Sequence, residues 1–383
     1  MALSADAGTS SPAGPAAGRT VPRRPKPDLG VVPGWWPIAL SEEVGRHPKA
    51  FRLGIRDIAV YRDLQGVVRA VDDSCPHRRL PLSMGRITED GYLQCAYHGW
   101  CFDGATGVCT AIPNLQEGEK IPASIRVAAF STAENVADVL GWNLRTGALA
   151  PAVGPPTGEE PEDGTTMFET HVADGLVVMW TGEDASDAAT RPRSHGSGER
   201  AIVGRMELRA PHARLAEALV WNPGAVLGLG PLLGAGDDLF DADVEVDGDT
   251  LTVRRERYAT ALKRVGTYGA VSKRSIATRV TMVADTGLTR VEAPGLRAVV
   301  GLTPIGPYRT IVRWRAEATG GALPAALVKL ATVGRRATGR DVNAAERVAD
   351  ATERAMDRGI DGLRELRAAR GSTQASEKTG AHR

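Results

Sequence analysis

Cys75-Pro76-His77 and, after seventeen intervening residues, Cys95-Ala96-Tyr97-His98 form the stretch that decides how this chain is read. Each pair holds a thiol and an imidazole within one short loop. Two such pairs are what a [2Fe–2S] centre requires when one iron takes two thiolates and the other two imidazoles. Neutral imidazole ligands raise the reduction potential, so such a centre is an electron relay rather than a strong reductant. The same four side chains would also serve a structural zinc ion. Spacing and context together favour iron–sulfur.

The context extends on both sides. Residues 34–44 read GWWPIALSEEV, residues 53–87 read LGIRDIAVYRDLQGVVRAVDDSCPHRRLPLSMGRI, and residues 93–113 read LQCAYHGWCFDGATGVCTAIP. This resembles the Rieske domain of the Rieske non-haem iron oxygenases, particularly their monooxygenase-like, natural-product branch of alpha-subunits. The resemblance implies that Cys75, His77, Cys95 and His98 bind the cluster and that His98-Gly99-Trp100 closes the second loop. Two positions depart from the family pattern: Arg79 stands where Gly is common, and Ala96 where Pro is common.

At 383 residues the chain can bury two cores. Its 47 Lys and Arg nearly cancel its 46 Asp and Glu, which gives no electrostatic case for a nucleic-acid or anionic-membrane partner. No apolar run reaches the length of a membrane span. The first residues, MALSADAGTSSPAGPAAGRT, lack the charged start and apolar stretch of a signal peptide, so a soluble cytoplasmic protein is expected. All four cysteines fall in one window, and Cys101 and Cys109, just past the second pair, read as small buried hydrophobes rather than a disulfide.

Residues 1–28 are small, polar and Pro-rich and read as a disordered arm. Alternating runs at 51–55, 58–61 and 67–71 read as short antiparallel strands of a first, all-β domain spanning 29–184. A Pro/Gly/Glu-rich insertion occupies about 131–166, residues 175–180 read as a buried strand, and 185–199 form a linker. From 200 to 370 the pattern is α+β. Strands are expected near 202–208, 275–283, 297–302 and 310–316, with a hairpin turning at Asp247-Gly248-Asp249. A short apolar helix, LAEALVW, ends at Asn222-Pro223-Gly224, and one long amphipathic helix is expected from Ala344 to Arg367. By resemblance this half is a helix-grip (START-like) domain, whose curved sheet and helices enclose a ligand. Residues 371–383 read as a disordered tail. Gly228 to Gly234, GLGPLLG, resembles a dinucleotide fingerprint, but Leu233 stands where its third Gly belongs, so a flexible apolar loop is expected.

An oxygenase of this kind needs a second metal, mononuclear iron held by two histidines and one carboxylate. The family's helix reads roughly E-N-x-x-D-x-x-H-x-x-x-x-H. Here Glu217 fits the first position, but Trp221 replaces the bridging Asp, and Gly224 and Leu229 replace the two His. Of the five histidines outside the Cys-His pairs, only His212 lies near this helix, and it has no partner at helical spacing. Asp350 matches the third ligand weakly and cannot hold Fe(II) alone. The resemblance therefore implies a [2Fe–2S] protein whose mononuclear iron is doubtful. Its electrons would come from an external NAD(P)H-dependent reductase or ferredoxin, and its apolar small-molecule substrate would be oxidised with a paralogous oxygenase subunit, in a trimer. The alternative is a redox-neutral cyclase that keeps the cluster for structure. Its apolar cavity would be lined by Trp221, Leu227, Leu229, Leu232 and Leu233.

Overall fold

The computed structural model describes residue 31 and residues 34–116, 118–134, 169–181, 201–234, 241–260, 273–283, 287–319 and 339–380. The expected N-terminal arm, the linker and most of the insertion lie outside the described residues. Short apolar runs punctuated by Gly and Asp make the N-terminal half all-β. Its strands are β1 (Trp35–Leu40), β2 (Lys49–Leu53), β3 (Arg56–Arg62), β4 (Val68–Asp72), β5 (Arg86–Ile87), β6 (Leu93–Gln94), β7 (Cys101–Phe102), β8 (Cys109–Ala111), β9 (Ala129–Glu134), β10 (Glu169–Ala173) and β11 (Leu176–Trp180).

Seven of these form one sheet in the order β1-β11-β10-β9-β4-β3-β2, and β5-β6-β7-β8 form a second, smaller one. The run 51–55 is a strand only as far as Leu53, because Gly54 at φ +58° opens the two-residue turn into β3. The insertion also begins later than expected, since β9 carries the chain to Glu134 in pairing with β4 and β10.

The second half is built on an antiparallel sheet of β12 (Ala201–Leu208), β13 (Asp243–Asp247), β14 (Thr250–Thr260), β15 (Lys273–Val283), β16 (Leu288–Ala293), β17 (Leu296–Gly306) and β18 (Arg309–Ala318), ordered β12-β18-β17-β16-β15-β14-β13. Strand alternation sorts the faces: Leu251, Val253, Val280, Met282, Val300 and Val312 are buried in one core with the helices. The helices are α1 (His212–Trp221), the single turns α2 (Pro223–Val226) and α3 (Gly230–Leu233), α4 (Gly339–Ala351) and α5 (Arg358–Gly380). Sheet plus one-sided helices make the chain α+β.

Three sequence expectations are corrected. The long C-terminal helix is two helices, because Asp357 caps a new start by accepting hydrogen bonds from the Gly359 and Ile360 N–H groups at 3.0 and 3.2 Å. The second of them runs through the expected disordered tail as far as Gly380. Gly228–Gly234 is no loose loop: it contains α3, and Leu229 and Leu233 are core residues.

The outer face of the second sheet carries the first domain. Thr303 Oγ1 donates to the Pro37 carbonyl at 2.6 Å, and Gly54 N donates to the Pro304 carbonyl at 2.7 Å. Arg313, 1% exposed, joins Glu43 at 2.8 Å and Thr303 Oγ1 at 2.8 Å. A Cβ on Gly301 would lie 2.7 Å from that of Pro37, so the close approach of β1 to β17 depends on glycine there.

Candidate cluster site and the closed second site

The four candidate ligands stand on two loops of the small sheet, one between β4 and β5 and one between β6 and β7. The loops share one backbone design. Cys75 N donates to Leu80 O at 2.9 Å and Arg79 N to Cys75 O at 2.8 Å; Cys95 N donates to Trp100 O at 2.9 Å and Gly99 N to Cys95 O at 3.1 Å. Each loop turns on a left-handed residue four positions after its cysteine, Arg79 at φ +60° and Gly99 at φ +71°. The sequence marked Arg79 as a departure; the backbone shows what it costs, a non-glycine residue in a glycine conformation. Asp73 pins the first loop from beneath, accepting from Ser83 N and Ser83 Oγ at 2.6 Å each.

The thiols point inward and the imidazoles outward. Cys75 and Cys95 are buried among Tyr61, Leu82, Leu93 and Phe102, whereas His77 is half-buried and His98 exposed. The two imidazole rings lie 4.6 Å apart. Trp100 stacks flat on His77 at 4.4 Å with an interplanar angle of 1°, and Tyr97 lies 3.8 Å from His98. Trp100 is thus the positioning residue that sequence reading placed only as a closing turn.

Burial pushes the Cys75 thiol up to about 11, opposed by the His77 and Arg78 backbone N–H groups and reinforced by Cys95 beside it. Loss of hydration, with His98 and Arg78 nearby, holds His77 below the usual imidazole range. Two neighbouring inner thiols and two adjacent outer imidazoles suit the two ends of a two-iron cluster. Among the described residues no three His, Cys, Asp or Glu side chains converge on one metal position. Cys101 and Cys109 are free, buried thiols, as the sequence suggested.

The positions that would hold mononuclear iron do not fit it. Gly224 packs so closely that a Cβ would sit 1.9 Å from the Gly234 carbonyl oxygen. Leu229 is core, and Trp221 offers only an indole N–H, buried without a partner. Glu217 is held by Arg364 at 3.1 and 2.9 Å. His212 packs edge-on against Trp36 of the first domain at 5.1 Å. Asp350, the weak third candidate, is exposed on α4. Leu227 and Leu233 are likewise buried in the core of the second half. No helix among the described residues is long and apolar enough to cross a membrane.

Residues 34–131 match the family described as Rieske [2Fe-2S] domain. Over 190 residues the chain is 34% identical to a chloroplastic pheophorbide a oxygenase of Oryza sativa subsp. japonica, a match covering 46% of this chain and 34% of that protein. The matched stretch is thus about a third of the relative's length. The fold is similar to a crystal structure of dicamba monooxygenase bound to 3,6-dichlorosalicylic acid, at a TM-score of 0.62 and 20% identity, covering 91% of this chain and 99% of that one. It is also similar to a carbazole-bound oxygenase in the ferredoxin complex of carbazole 1,9a-dioxygenase, at a TM-score of 0.51 and 14% identity, covering 84% and 81%. Residues 34–131 thus match a Rieske [2Fe–2S] domain, and the fold of the chain over both halves is similar to that of these two oxygenases.

Proposed function

We propose that this chain is a Rieske electron-relay subunit, held in the reducing cytoplasm, that serves the oxidation of an apolar small molecule in secondary metabolism. Its partners would be a ferredoxin or NAD(P)H-dependent reductase on one side and, in a mixed trimer, a paralogous subunit with both iron-binding histidines on the other. The observation that carries this reading is the contrast between the two sites: two matched Cys-His loops in the first half, and a Gly224 position filled by backbone in the second. The family resemblance to an oxygenase in complex with ferredoxin supports the choice of donor.

In this reading Cys75 and Cys95 hold one end of the cluster from the buried side, and His77 and His98 hold the other from the surface. When bound, the cluster stores and releases one electron at a raised potential. Trp100 fixes the plane of His77, and the exposed edge of His98 marks the surface where a donor would dock. Cys101 and Cys109, outside the proposed ligand set, are buried thiols without a disulfide. The cyclase alternative has only the leucines expected to line its cavity to rest on, and Leu227, Leu229 and Leu233 are buried in the core of the second half.

The test is iron and acid-labile sulfide analysis of anaerobically purified protein, with an EPR spectrum after dithionite reduction. Two irons and two sulfides per chain, a Rieske signal and no further iron after Fe(II) reconstitution are expected. A third, tightly bound iron would overturn the relay reading in favour of a self-sufficient oxygenase.

A further inference from the structure

Arg257 is the one inward residue of β14 whose charge the described residues leave unmatched. Its inward neighbours along the strand are each covered by α5 or by the turn that starts it. A Cβ on Gly362 would meet Leu251 and one on Gly359 would meet Val253, so α5 lies over those two positions. Asp357, the residue that caps α5, takes Arg255 through two hydrogen bonds at 2.6 and 2.8 Å. Arg257 is the next inward position, past the end of that helix. It is fully buried, at 0% exposure, and none of its three guanidinium nitrogens has a hydrogen-bond partner.

A guanidinium cannot shed its charge at physiological pH, and burying it without a partner costs several kcal/mol. Burial and the neighbouring Arg255 lower its pKa to about 10, with Asp357 opposing, which still leaves it a cation at pH 7. Among the described residues the local count is two arginines against one aspartate, a surplus of one positive charge. Facing Arg257 across the strand pair is Ile276, which is apolar, while Thr278 donates its hydroxyl to the Arg255 carbonyl at 3.0 Å. The outer face of the same sheet is different. An open groove of about 610 Å³ there is lined by Arg254, Arg279 and Glu292, and these are ion-paired. Surface charge on this sheet is matched; the buried charge is not.

We propose that Arg257 is a binding residue for a single carboxylate on a molecule that reaches the inner side of the second sheet beyond the start of α5. One surplus positive charge matches a monoanion better than a phosphate, and the planar guanidinium pairs with a carboxylate through two parallel hydrogen bonds. Ile276, opposite Arg257 on the neighbouring strand, offers the guest an apolar contact beside the charge. Calling that guest the substrate rests on the relay reading above; the existence of the anion site does not.

The test compares acetate with acetamide, an acid and its near-isosteric neutral amide, both small enough to enter any cavity a larger guest could use. Thermal unfolding of the cluster-loaded full chain is followed at constant ionic strength in each. Acetate is expected to raise the unfolding midpoint by about 3 °C at ten times its dissociation constant, and acetamide to leave it unmoved. Arg257→Met should lose the acetate response, and Arg257→Gln serves if the methionine variant does not fold. Equal responses to acetate and acetamide in the wild-type protein, or an acetate response that survives in the variant, would overturn the proposal. The EPR spectrum of the same samples separates the two readings. A normal Rieske signal without acetate discrimination removes only the anion site, and acetate discrimination without a Rieske signal removes only the relay.

Discussion

Arg364 of α5 holds Glu217 of α1 through both carboxylate oxygens, from Nε at 3.1 Å and Nη2 at 2.9 Å, while Nη2 also donates to the Thr352 carbonyl at 2.8 Å. The Glu217 side chain is 8% exposed and has Arg214 at 3.6 Å and Arg367 at 4.0 Å as further partners. The carboxylate that opens the family's iron helix is here a structural tie between the two helices. Removing one member of such a pair strands a buried charge. Glu217→Ala is expected to cost about 3 kcal/mol and Arg364→Ala about 2 kcal/mol, with the double variant costing less than their sum. Denaturant unfolding of the four proteins measures the coupling; strict additivity would show that the tie contributes nothing.

The inner thiols and their neighbours should separate cleanly. Cys75→Ser and Cys95→Ser are expected to abolish the visible chromophore and the EPR signal. Cys101→Ser and Cys109→Ser should keep both. Burial pushes the Cys109 thiol up to about 11, which leaves it a neutral core group. Loss of the spectrum in either of the latter variants would move the ligand set.

Arg79 at φ +60° does the work that glycine does at Gly99. A left-handed non-glycine residue costs roughly 1–2 kcal/mol, partly offset by the extra freedom glycine has when unfolded. Arg79→Gly should therefore fold at least as stably as wild type, within about 1 kcal/mol. Arg79→Val, branched at Cβ, should lose about 2 kcal/mol and release iron sooner. Timed iron loss to a chelator reads the second effect, and equal rates in the two variants would show that loop strain is not felt at the cluster.

How much of this could be read from sequence depended on distance along the chain. The two Cys-His loops were legible because the candidate ligands, turn and closing Trp100 lie within a few residues of each other. The second half was legible as strands, but β16 was missed, its short run 288–293 having no unbroken apolar alternation. Reading 344–367 as one helix failed because Asp357 is recruited by Arg255, a partner 102 residues away. A signal for Arg257 did exist: in TLTVRRERY the inward positions run Leu251, Val253, Arg255, Arg257, so alternation itself puts two arginines in the core. What alternation does not supply is that Asp357 answers only one of them.

Restoring histidines to the second site is expected to fail for a steric reason. Any side chain at Gly224 drives its Cβ onto the Gly234 carbonyl oxygen. Gly224→Ala alone should cost about 3 kcal/mol, and the Gly224→His, Leu229→His double variant should be less stable still and bind no third iron. Calorimetric titration with Fe(II) checks this. A folded double variant with a new tight iron site would show that the closure is a consequence of the lost ligands rather than a barrier to them.

The last prediction concerns pH. His212 begins α1 and meets Trp36 edge-on across the domain interface, at 5.1 Å and 85°. Burial lowers its pKa to about 4, and the nearby Arg367 charge acts in the same direction. In the unfolded chain the ring titrates near 6.5. A histidine depressed on folding contributes stability that is complete above the unfolded value. That stability is lost as pH falls, because between about 6.5 and 4 the unfolded state takes up the proton and the folded state does not. After allowing for partial solvent access, the loss across that window is on the order of 2 kcal/mol. His212→Phe keeps an aromatic edge against Trp36 but cannot titrate, so its stability should fall less than that of wild type from pH 7.5 to 4.5. Carboxylate effects are common to both proteins and cancel in the difference. Denaturant midpoints at pH 7.5, 6.0 and 4.5 supply the comparison. Parallel pH profiles would mean that the His212 ring is protonated in the folded protein, with its proton accommodated at the interface.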